Sequence, residues 1–506
     1  MPPAPPLALI AGTTPLVLVA PHGGRRDVAR RPWGTAPLKV NDLHTAALTA
    51  ELARVTGASA IINTAADRND VDLNRVSAAH DRAPWFLERL ADVLAATLGR
   101  HGRATLLTVH GWNVVQPAVD LGLGCAPGAD PFSVGPDAAV SPAFAAAAVR
   151  ALVGACAGHR IAATVGARYP ARARENLLQL FTPRYAGDRR SLVAALAAMA
   201  PAVDAVQLEL GIPLRWPGPW RTWFVEACRQ ALPSLTAGER DMAGGEPAAD
   251  GAASALVPCR LQFAGVPFCG LAAVGTDGGA RLLLLPSDGG LLLFTGERAG
   301  GLAVATTGPG AVSLAYAGPL LRFPDTAPFL DLERGLAAAR LVDAEVRLTF
   351  TPAHAGGEAC EFGSVAGTVA LGGRRVDISA TAFAEDRERP GPWPRLRAAL
   401  QLDRTTALSL TLGLAGQEAA GFLCRAGRHV DVTAARASLG PAAAPLERVT
   451  LEVELAGGER LRVATAALHE LPVIRSRGPS AVRVVFAACA VDGSPAPAGW
   501  CEAGGI

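Results

Sequence analysis

The stretch ATLLTVHG, residues 104–111, is a short run of aliphatic and β-branched residues that ends in a histidine and a glycine. Three more runs share this pattern, in which a continuous apolar segment ends in polar residues: LVLVA (16–20), SAIINT (59–64) and DAVQLEL (204–210). Continuous apolar runs of this length are typical of strands that are buried on both faces. We therefore predict four buried strands in the first half of the chain.

Longer segments rich in Ala and Leu separate these strands, and several of them end in glycine. They have helical periodicity and span residues 42–57, 84–100, 141–158 and 188–202. Strands that alternate with helices predict an α/β fold, in which helices cover both faces of a mainly parallel sheet. In such sheets the ligand site lies beyond the carboxyl ends of the strands.

The second half of the chain has a different pattern. A chain of 506 residues is too long for one ordinary hydrophobic core, which indicates two domains or more. After residue 254, short and often alternating apolar runs are separated by Gly-Gly, Asp-Gly or Pro turns, as in antiparallel β-structure. We predict an α/β domain over residues 1–235, a Gly- and Ala-rich linker over 236–254 and an all-β domain over 255–506, large enough for one barrel or two.

Composition and charge narrow the class of protein. Half of the residues are hydrophobic and 18% are charged, which is typical of globular domains. A net charge of +2 supplies no strong field for a nucleic-acid partner. The 9 cysteines are scattered without a CxxC pair, which favours reduced thiols and a cytoplasmic location over disulfides. The first residues lack both a basic leader and a long unbroken apolar run, so we expect no signal peptide and no membrane span.

Four ionisable residues lie where the predicted topology places a site. His22 follows the first strand, Asp42 begins the first predicted helix, and His110 and Glu209 lie near the ends of two later strands. Two imidazoles and one carboxylate leave the fourth position of a zinc ion open for water, which is the arrangement of catalytic zinc. Zinc held in this way activates water and polarises a carbonyl group. A second carboxylate, Glu209, would then act as the general base.

Between these elements lies ADRNDVDLNR, residues 66–75, which contains Arg68, Asn74 and Arg75. Guanidinium groups match carboxylates through two parallel hydrogen bonds. This segment is therefore a candidate site for the free carboxylate of an amino-acid substrate.

Each of these residues also has a structural interpretation when it is taken alone. His22 before Gly-Gly fits a turn, Asp42 fits a helix N-cap, and the DLNR segment fits a buried Asp–Arg pair that supports the sheet. Glu209 is the hardest to explain in this way, because a carboxylate in an apolar strand is costly without a partner. The occurrence of all these residues in one order favours the functional interpretation.

The motifs PHGG, NDLHTAAL, RNDVDLNR, VHGW and VQLELGIPLR occur in this order between residues 15 and 232. In order and approximate spacing they resemble the N-formylglutamate amidohydrolase family, which is itself similar to zinc carboxypeptidases and aspartoacylases. The resemblance implies a zinc-carboxypeptidase-like fold, one Zn²⁺ ion and hydrolysis of an N-acyl amide.

The resemblance also implies roles for seven residues. The zinc ligands would be His22, Asp42 and His110. The general base would be Glu209, and the substrate carboxylate would be bound by Arg68, Asn74 and Arg75. Carboxypeptidases have their acidic ligand three residues after the first histidine, where this chain has Arg25. Asp27 is therefore a rival to Asp42, and His44 would join the ligands if the first helix began later.

Residues 363–394 place a Gly-x-x-x-Gly-x-Val strand and a Gly-Gly hairpin before a charged and aromatic segment. Over about residues 255–500 the chain resembles the lipocalin-like double barrels related to carotenoid hydratase and AttH-type proteins. That family commonly has an acidic residue followed by His, whereas this chain has Glu385, Asp386 and Arg387 before Trp393. Hydratase chemistry is therefore not implied. A barrel of this size either encloses an apolar ligand or is filled by side chains.

Two functional hypotheses follow. The first is a zinc-dependent amidohydrolase that acts on a small N-acyl amino acid or a short peptide, with a cell-wall fragment as a further candidate substrate. The second is a double-barrel protein that binds or modifies an isoprenoid-like apolar ligand and carries a degenerate hydrolase domain.

Overall fold

The chain, described by a computed structural model, forms two compact units, one between residues 7 and 236 and the other between residues 259 and 504. The described residues are 7–23, 41–236, 259–265, 267–275, 279–297, 301–308, 310–324, 332–353, 360–385, 395–401, 406–413, 419–425, 428–439, 448–473, 482–491 and 494–504. The rival ligand Asp27, the predicted linker after Thr236 and residues 386–394 lie outside these ranges. Within them, no helix combines the length and the apolar character that crossing a membrane requires.

The first unit is built on a seven-stranded mixed sheet, with strand order β1-β3-β2-β4-β7-β5-β6. The strands are β1 (Leu7–Ile10), β2 (Leu16–Ala20), β3 (Ser59–Asn63), β4 (Ala104–Gly111), β5 (Ala118–Gly122), β6 (Ala162–Val165) and β7 (Val203–Leu210). Strand β1 is antiparallel to β3, and β5 is antiparallel to β7. The other four pairs are parallel. The predicted mainly parallel α/β sheet is thus confirmed.

The helices of this unit are α1 (Thr45–Thr56), α2 (Val76–Arg82), α3 (Pro84–His101), α4 (Pro142–Phe144), α5 (Arg150–Gly158), α6 (Ser191–Ala197), α7 (Ile212–Arg215) and α8 (Pro219–Thr236). A π-helical stretch, Ala145–Val149, joins α4 to α5. Three 3₁₀ turns occupy Leu177–Phe181, Pro183–Tyr185 and Ala200–Ala202. Gly102 ends α3 in the left-handed conformation at φ 72°, where its N–H donates to Leu98 O.

Helices lie on both faces of the sheet, and β2 shows why. Leu16 and Leu18 belong to a buried cluster with α1, α5 and α8, whereas Val17 and Val19 belong to a cluster with α3 and α6. Alternate side chains of a strand point to opposite faces, so a strand that is apolar throughout needs cover on both sides.

Two predicted helix boundaries are corrected by the structure. The helix predicted over 42–57 begins only at Thr45, because His44 takes the left-handed conformation at φ 67°, ψ −4°. The helix predicted over 188–202 is confined to Ser191–Ala197, with a 3₁₀ turn around Pro201. Proline has no N–H to donate in a helix interior, which favours an early end. Strands β5 and β6 were not predicted.

The second unit is all-β, as predicted, apart from one short helix, α9 (Leu332–Ala338). A nine-stranded antiparallel sheet has the order β11-β10-β9-β8-β16-β15-β14-β13-β12, with β11 also paired to β13. Its strands are β8 (Cys259–Ala264), β9 (Phe268–Val274), β10 (Gly279–Pro286), β11 (Leu291–Glu297), β12 (Leu302–Gly308), β13 (Ala311–Phe323), β14 (Arg340–Pro352), β15 (Cys360–Leu371) and β16 (Arg374–Glu385).

The remaining strands close into an eight-stranded antiparallel barrel. They are β17 (Arg395–Gln401), β18 (Thr406–Gly413), β19 (Ala419–Arg425), β20 (Arg428–Leu439), β21 (Arg448–Leu455), β22 (Arg460–Val473), β23 (Val482–Val491) and β24 (Ser494–Gly504). Leu and Val side chains from β17 to β22, such as Leu400, Leu423 and Val463, pack into one buried cluster. One closed barrel and one large sheet therefore stand where a barrel or double barrel was predicted.

Candidate active site

The carboxyl ends of three adjacent parallel strands bring the predicted site residues to one edge of the sheet. Strand β4 lies between β2 and β7 and is parallel to both. His22 follows β2 by two residues, His110 lies in β4, and Glu209 lies in β7. His110 and Glu209 are register partners, so their side chains lie on the same face of the sheet, about 5 Å apart at the backbone.

His22, Asp42 and His110 form a compact buried cluster. Oδ2 of Asp42 lies 3.2 Å from Nδ1 of His22 and 3.3 Å from Nδ1 of His110. The two imidazole rings meet edge to face, with centroids 4.9 Å apart. One ligand atom from each residue lies within 4.8 Å of the others, so the three could together hold a metal ion.

The donor set and its spacing fit a divalent ion such as zinc. Donor atoms that share a tetrahedral zinc at bond lengths of about 2.0 to 2.1 Å lie roughly 3.3 Å apart, which matches the two separations from Asp42. In the described part of the chain, Nε2 of His110 is buried and has no hydrogen-bond partner. That atom is the other ring nitrogen from the one that faces Asp42, so the case for a metal ion rests on the spacing of the donor atoms around Asp42.

Asp72 orients His22, and its role was not predicted. Its Oδ1 lies 2.7 Å from Nε2 of His22. When Nε2–H donates to this carboxylate, the lone pair of the ring is on Nδ1, the atom that faces Asp42. Metal-bound histidines usually donate their second ring N–H to a carboxylate in this way. The signal available in the sequence was the acidic residue inside RNDVDLNR, which was interpreted only as a partner of Arg75.

The ionisable groups of the cluster shift one another's pKa values. Burial alone would raise the pKa of Asp42, but His22, His110 and Arg68 hold it well below its usual range. Burial lowers the pKa of His22, yet the two carboxylates beside it outweigh this effect and raise the pKa overall. Burial and the neighbouring His22 lower the pKa of His110. The cluster is therefore built around an ionised Asp42, and His110 is its less basic imidazole.

The three predicted carboxylate-binding residues border the cluster but have separate partners. Arg68 donates from an NH1 group to Oδ1 of Asp42 at 3.0 Å. Arg75 lies 3.5 Å from Oδ2 of Asp72, and 55% of its side chain is exposed. Asn74 donates to Gln207 at 3.5 Å. Arg68 thus contacts the candidate acidic ligand itself, while Arg75 faces solvent beside Asp72.

Glu209 is buried and is held by a chain of amides. Oε1 of Glu209 accepts from Gln207 at 2.9 Å, and Gln207 in turn accepts from Asn176 at 2.8 Å. Burial and the nearby Asp42 carboxylate raise the pKa of Glu209 to about 8. Gln207 was not predicted, although it precedes Glu209 by two residues and therefore shares its face of the strand.

On the other side of Glu209 lies Asp120, its register partner in β5. Asp120 is fully buried and accepts from the hydroxyl of Thr164 and from the backbone N–H groups of Ala167, Arg168 and Tyr169. The turn held in this way sets Tyr169 edge to face against Trp112, with ring centroids 5.7 Å apart. The apolar run of β5 is interrupted by this carboxylate, which is why the strand was not predicted.

The further candidate ligand His44 lies elsewhere. The ring of His44 packs against Trp216 at 4.4 Å, and burial together with Arg215 lowers its pKa to about 4. His44 is therefore not part of the cluster formed by His22, Asp42 and His110.

No family model and no curated protein matches the chain. Among solved structures, an N-formylglutamate amidohydrolase from Ralstonia eutropha JMP134 is similar over 46% of this chain and 97% of its own, with 15% identity and a TM-score of 0.32. A putative AttH from Nitrosomonas europaea covers 51% of this chain and 98% of its own, with 13% identity and a TM-score of 0.26. Kievitone hydratase from Nectria haematococca covers 48% of this chain and 86% of its own, with 10% identity and a TM-score of 0.29. Both resemblances noted in the sequence recur among these structures.

Proposed function

We propose that residues 1–235 form a zinc-carboxypeptidase-like amidohydrolase, and that residues 255–506 form a separate lipocalin-like domain. The proposed enzyme cleaves an N-acyl amide of the formyl type from a substrate that resembles an amino acid and bears a carboxylate. One observation carries the proposal: His22, Asp42 and His110 converge at one sheet edge, with Glu209 as the register neighbour of His110. A cytoplasmic location is part of the same proposal, on the scattered pattern of cysteines in the sequence.

The proposed metal ligands are His22, Asp42 and His110, with Asp72 orienting the first imidazole. Zinc, when bound, would supply a Lewis acid that brings the pKa of a water to about 7, polarises a carbonyl and favours the ionised form of a nearby carboxyl group. Asp42 is suited to its role because its pKa is held low.

Glu209 is the proposed general base. Its buried carboxyl group has a pKa of about 8, close to the neutral range in which a group both takes and returns a proton. Gln207 holds Oε1, which leaves Oε2 to accept a proton from the attacking water and to pass it to the departing amine. A base of this kind contributes on the order of 10²- to 10⁴-fold in rate.

The substrate carboxylate is assigned to Arg68, Asn74 and Arg75. Arg75 is the best placed of the three to receive it, because more than half of its side chain is exposed beside Asp72. Arg68 contributes positive charge at the inner end of the same segment, where it also contacts Asp42. N-acyl amino acids and short peptides are the compounds to screen first.

The test combines metal analysis with a substrate screen on the full chain. We expect about one zinc per chain, hydrolysis of at least one N-acyl amino acid, and a loss of roughly 10²-fold or more in kcat for Glu209→Gln. The matched control is Glu226→Gln, which changes a partly exposed glutamate paired with Arg229 and should keep full activity. Absence of stoichiometric metal from the purified and zinc-reconstituted protein would exclude the proposal.

A further inference from the structure

Arg215, the last residue of α7, is buried completely and donates hydrogen bonds to three separate parts of the first unit. Its Nε donates to the carbonyl of Leu210 at 3.2 Å, and its NH1 group donates to the carbonyl of Leu43 at 2.7 Å. Its NH2 group donates to the carbonyl of Trp112 at 3.2 Å and to Oδ1 of Asn113 at 2.7 Å. All three guanidinium nitrogens are therefore engaged.

Each backbone acceptor lies within two residues of a residue of the candidate site. Leu43 follows Asp42, Leu210 follows Glu209, and Trp112 lies two residues beyond His110. The segments that carry these three site residues come from distant parts of the chain. One rigid, planar guanidinium group therefore links the backbones that position the acidic ligand, a histidine ligand and the general base.

The surroundings of Arg215 favour a role at the site over a contribution to stability alone. Within the described residues, its nitrogens form no ion pair, and burial lowers its pKa to about 10, so the group stays charged at neutral pH. A buried cation without a contacting carboxylate is expensive. The main acidic group that compensates it at longer range is Asp42.

Gly111 allows the guanidinium group to lie against the backbone next to His110. A Cβ atom at this position would come within 2.7 Å of Cζ of Arg215 and within 3.0 Å of Cβ of Asp42. Strand β4 therefore has no side chain at the point where Arg215 and Asp42 approach it.

We infer that Arg215 is a positioning residue, which fixes Asp42, His110 and Glu209 relative to one another through the backbone beside each. The inference rests on the proposed function in that these residues form a metal site with its base. It goes further because it assigns the assembly of that site to a residue outside the ligand set and outside the carboxylate-binding segment.

The test measures zinc affinity of the full chain by competition with a chromophoric chelator. Arg215→Lys keeps the charge but removes the planar fork, and we expect its affinity to fall by about 10- to 100-fold, as for other residues that support metal ligands. Asn113→Ala removes one acceptor and should lower the affinity less. The control, Arg190→Lys, alters a guanidinium group bonded to Asp188 and Ser77 away from the cluster and should bind zinc as the parent protein does.

The outcomes separate the two proposals. If Arg215→Lys is folded and binds zinc as tightly as the parent protein, or if Arg190→Lys loses as much affinity, the inference is wrong. If Arg215→Lys does not fold, unchanged affinity in Asn113→Ala overturns it. If the parent protein itself binds no zinc, the proposed function fails. A crystal structure of metal-free Arg215→Lys or Asn113→Ala then tests the inference about Arg215. We expect Nδ1 of His110 and Oδ2 of Asp42 to lie farther apart than the 3.3 Å of the parent protein. An unchanged distance contradicts the inference.

Discussion

Asp72 and His22 are joined on the side of the imidazole that points away from Asp42, with Oδ1 of Asp72 2.7 Å from Nε2 of the ring. This carboxylate selects the tautomer that directs the Nδ1 lone pair toward the centre of the cluster. We predict that Asp72→Ala lowers zinc affinity by about 10- to 100-fold, measured by chelator competition at neutral pH. Asp70→Ala changes an exposed carboxylate two residues earlier and should leave the affinity unaltered. Equal zinc affinities for both variants would show that Asp72 does not support the metal site.

The buried carboxyl group of Glu209 should make the stability of the metal-free protein depend on pH. Its pKa rises from 4.5 to about 8 on folding, so the folded state holds a proton that the unfolded state releases. This contribution is complete below pH 4.5 and is lost as pH rises through 8. The amide introduced by Glu209→Gln does not ionise, so the variant does not lose this contribution. Its free energy of unfolding should therefore rise relative to that of the parent protein by up to about 1.4 kcal/mol for each pH unit between 4.5 and 8.

The measurement is urea unfolding in the presence of a chelator between about pH 5 and 9, a range that brackets the raised pKa, followed by tryptophan fluorescence. Five of the 8 tryptophans lie among the described residues of the first unit, so that unit contributes most of the signal. Glu226→Gln should show a constant difference from the parent protein over this range, because Glu226 is ionised throughout in both states. A Glu209→Gln difference that is also flat would show that Glu209 is ionised in the folded protein.

Asp120 should be a major determinant of stability in the first unit. It is fully buried and accepts four hydrogen bonds, so Asp120→Ala leaves three backbone N–H groups and a hydroxyl without their acceptor. We expect a loss of roughly 3 kcal/mol in the free energy of unfolding. Thr164→Val removes a single donor and should cost about 1 kcal/mol. If the two variants are equally stable, the turn at 167–169 does not depend on Asp120.

Gly111 should not tolerate a methyl group. A Cβ atom there would overlap the guanidinium group of Arg215, and the buried surroundings leave it little room to move. Gly111→Ala should destabilise the protein by about 1 to 3 kcal/mol in thermal or urea unfolding. Gly99→Ala is the control, since nothing lies within 4 Å of its added Cβ in α3, and it should stabilise the protein by about 0.5 to 1 kcal/mol. A stabilised Gly111→Ala protein would show that this close approach is not real.

The local pattern of apolar residues was sufficient to predict much of the fold. Strand β4 has the predicted bounds 104–111 and β2 the predicted bounds 16–20. Both are continuous apolar runs of four to eight residues, a length that favours a buried strand over a buried helix. Strand β5 was missed because Asp120 interrupts its apolar run, and only the backbone N–H groups of a turn more than forty residues later make that carboxylate acceptable in the core.

For the site, the sequence by itself determined which chemical groups are available and that they follow strands whose carboxyl ends share one edge. It therefore determined the candidate ligands His22, Asp42 and His110 and the candidate base Glu209, whose roles stay predictions. Only the tertiary structure decided their partners. Asp72 contacts His22, Arg68 contacts Asp42, and Arg215 donates to backbone carbonyls within two residues of Asp42, His110 and Glu209. The reason is physical. The periodicity of apolar residues indicates which side chains of a helix or strand are buried. A hydrogen bond between residues that are far apart in the sequence depends instead on how separate helices and strands pack together.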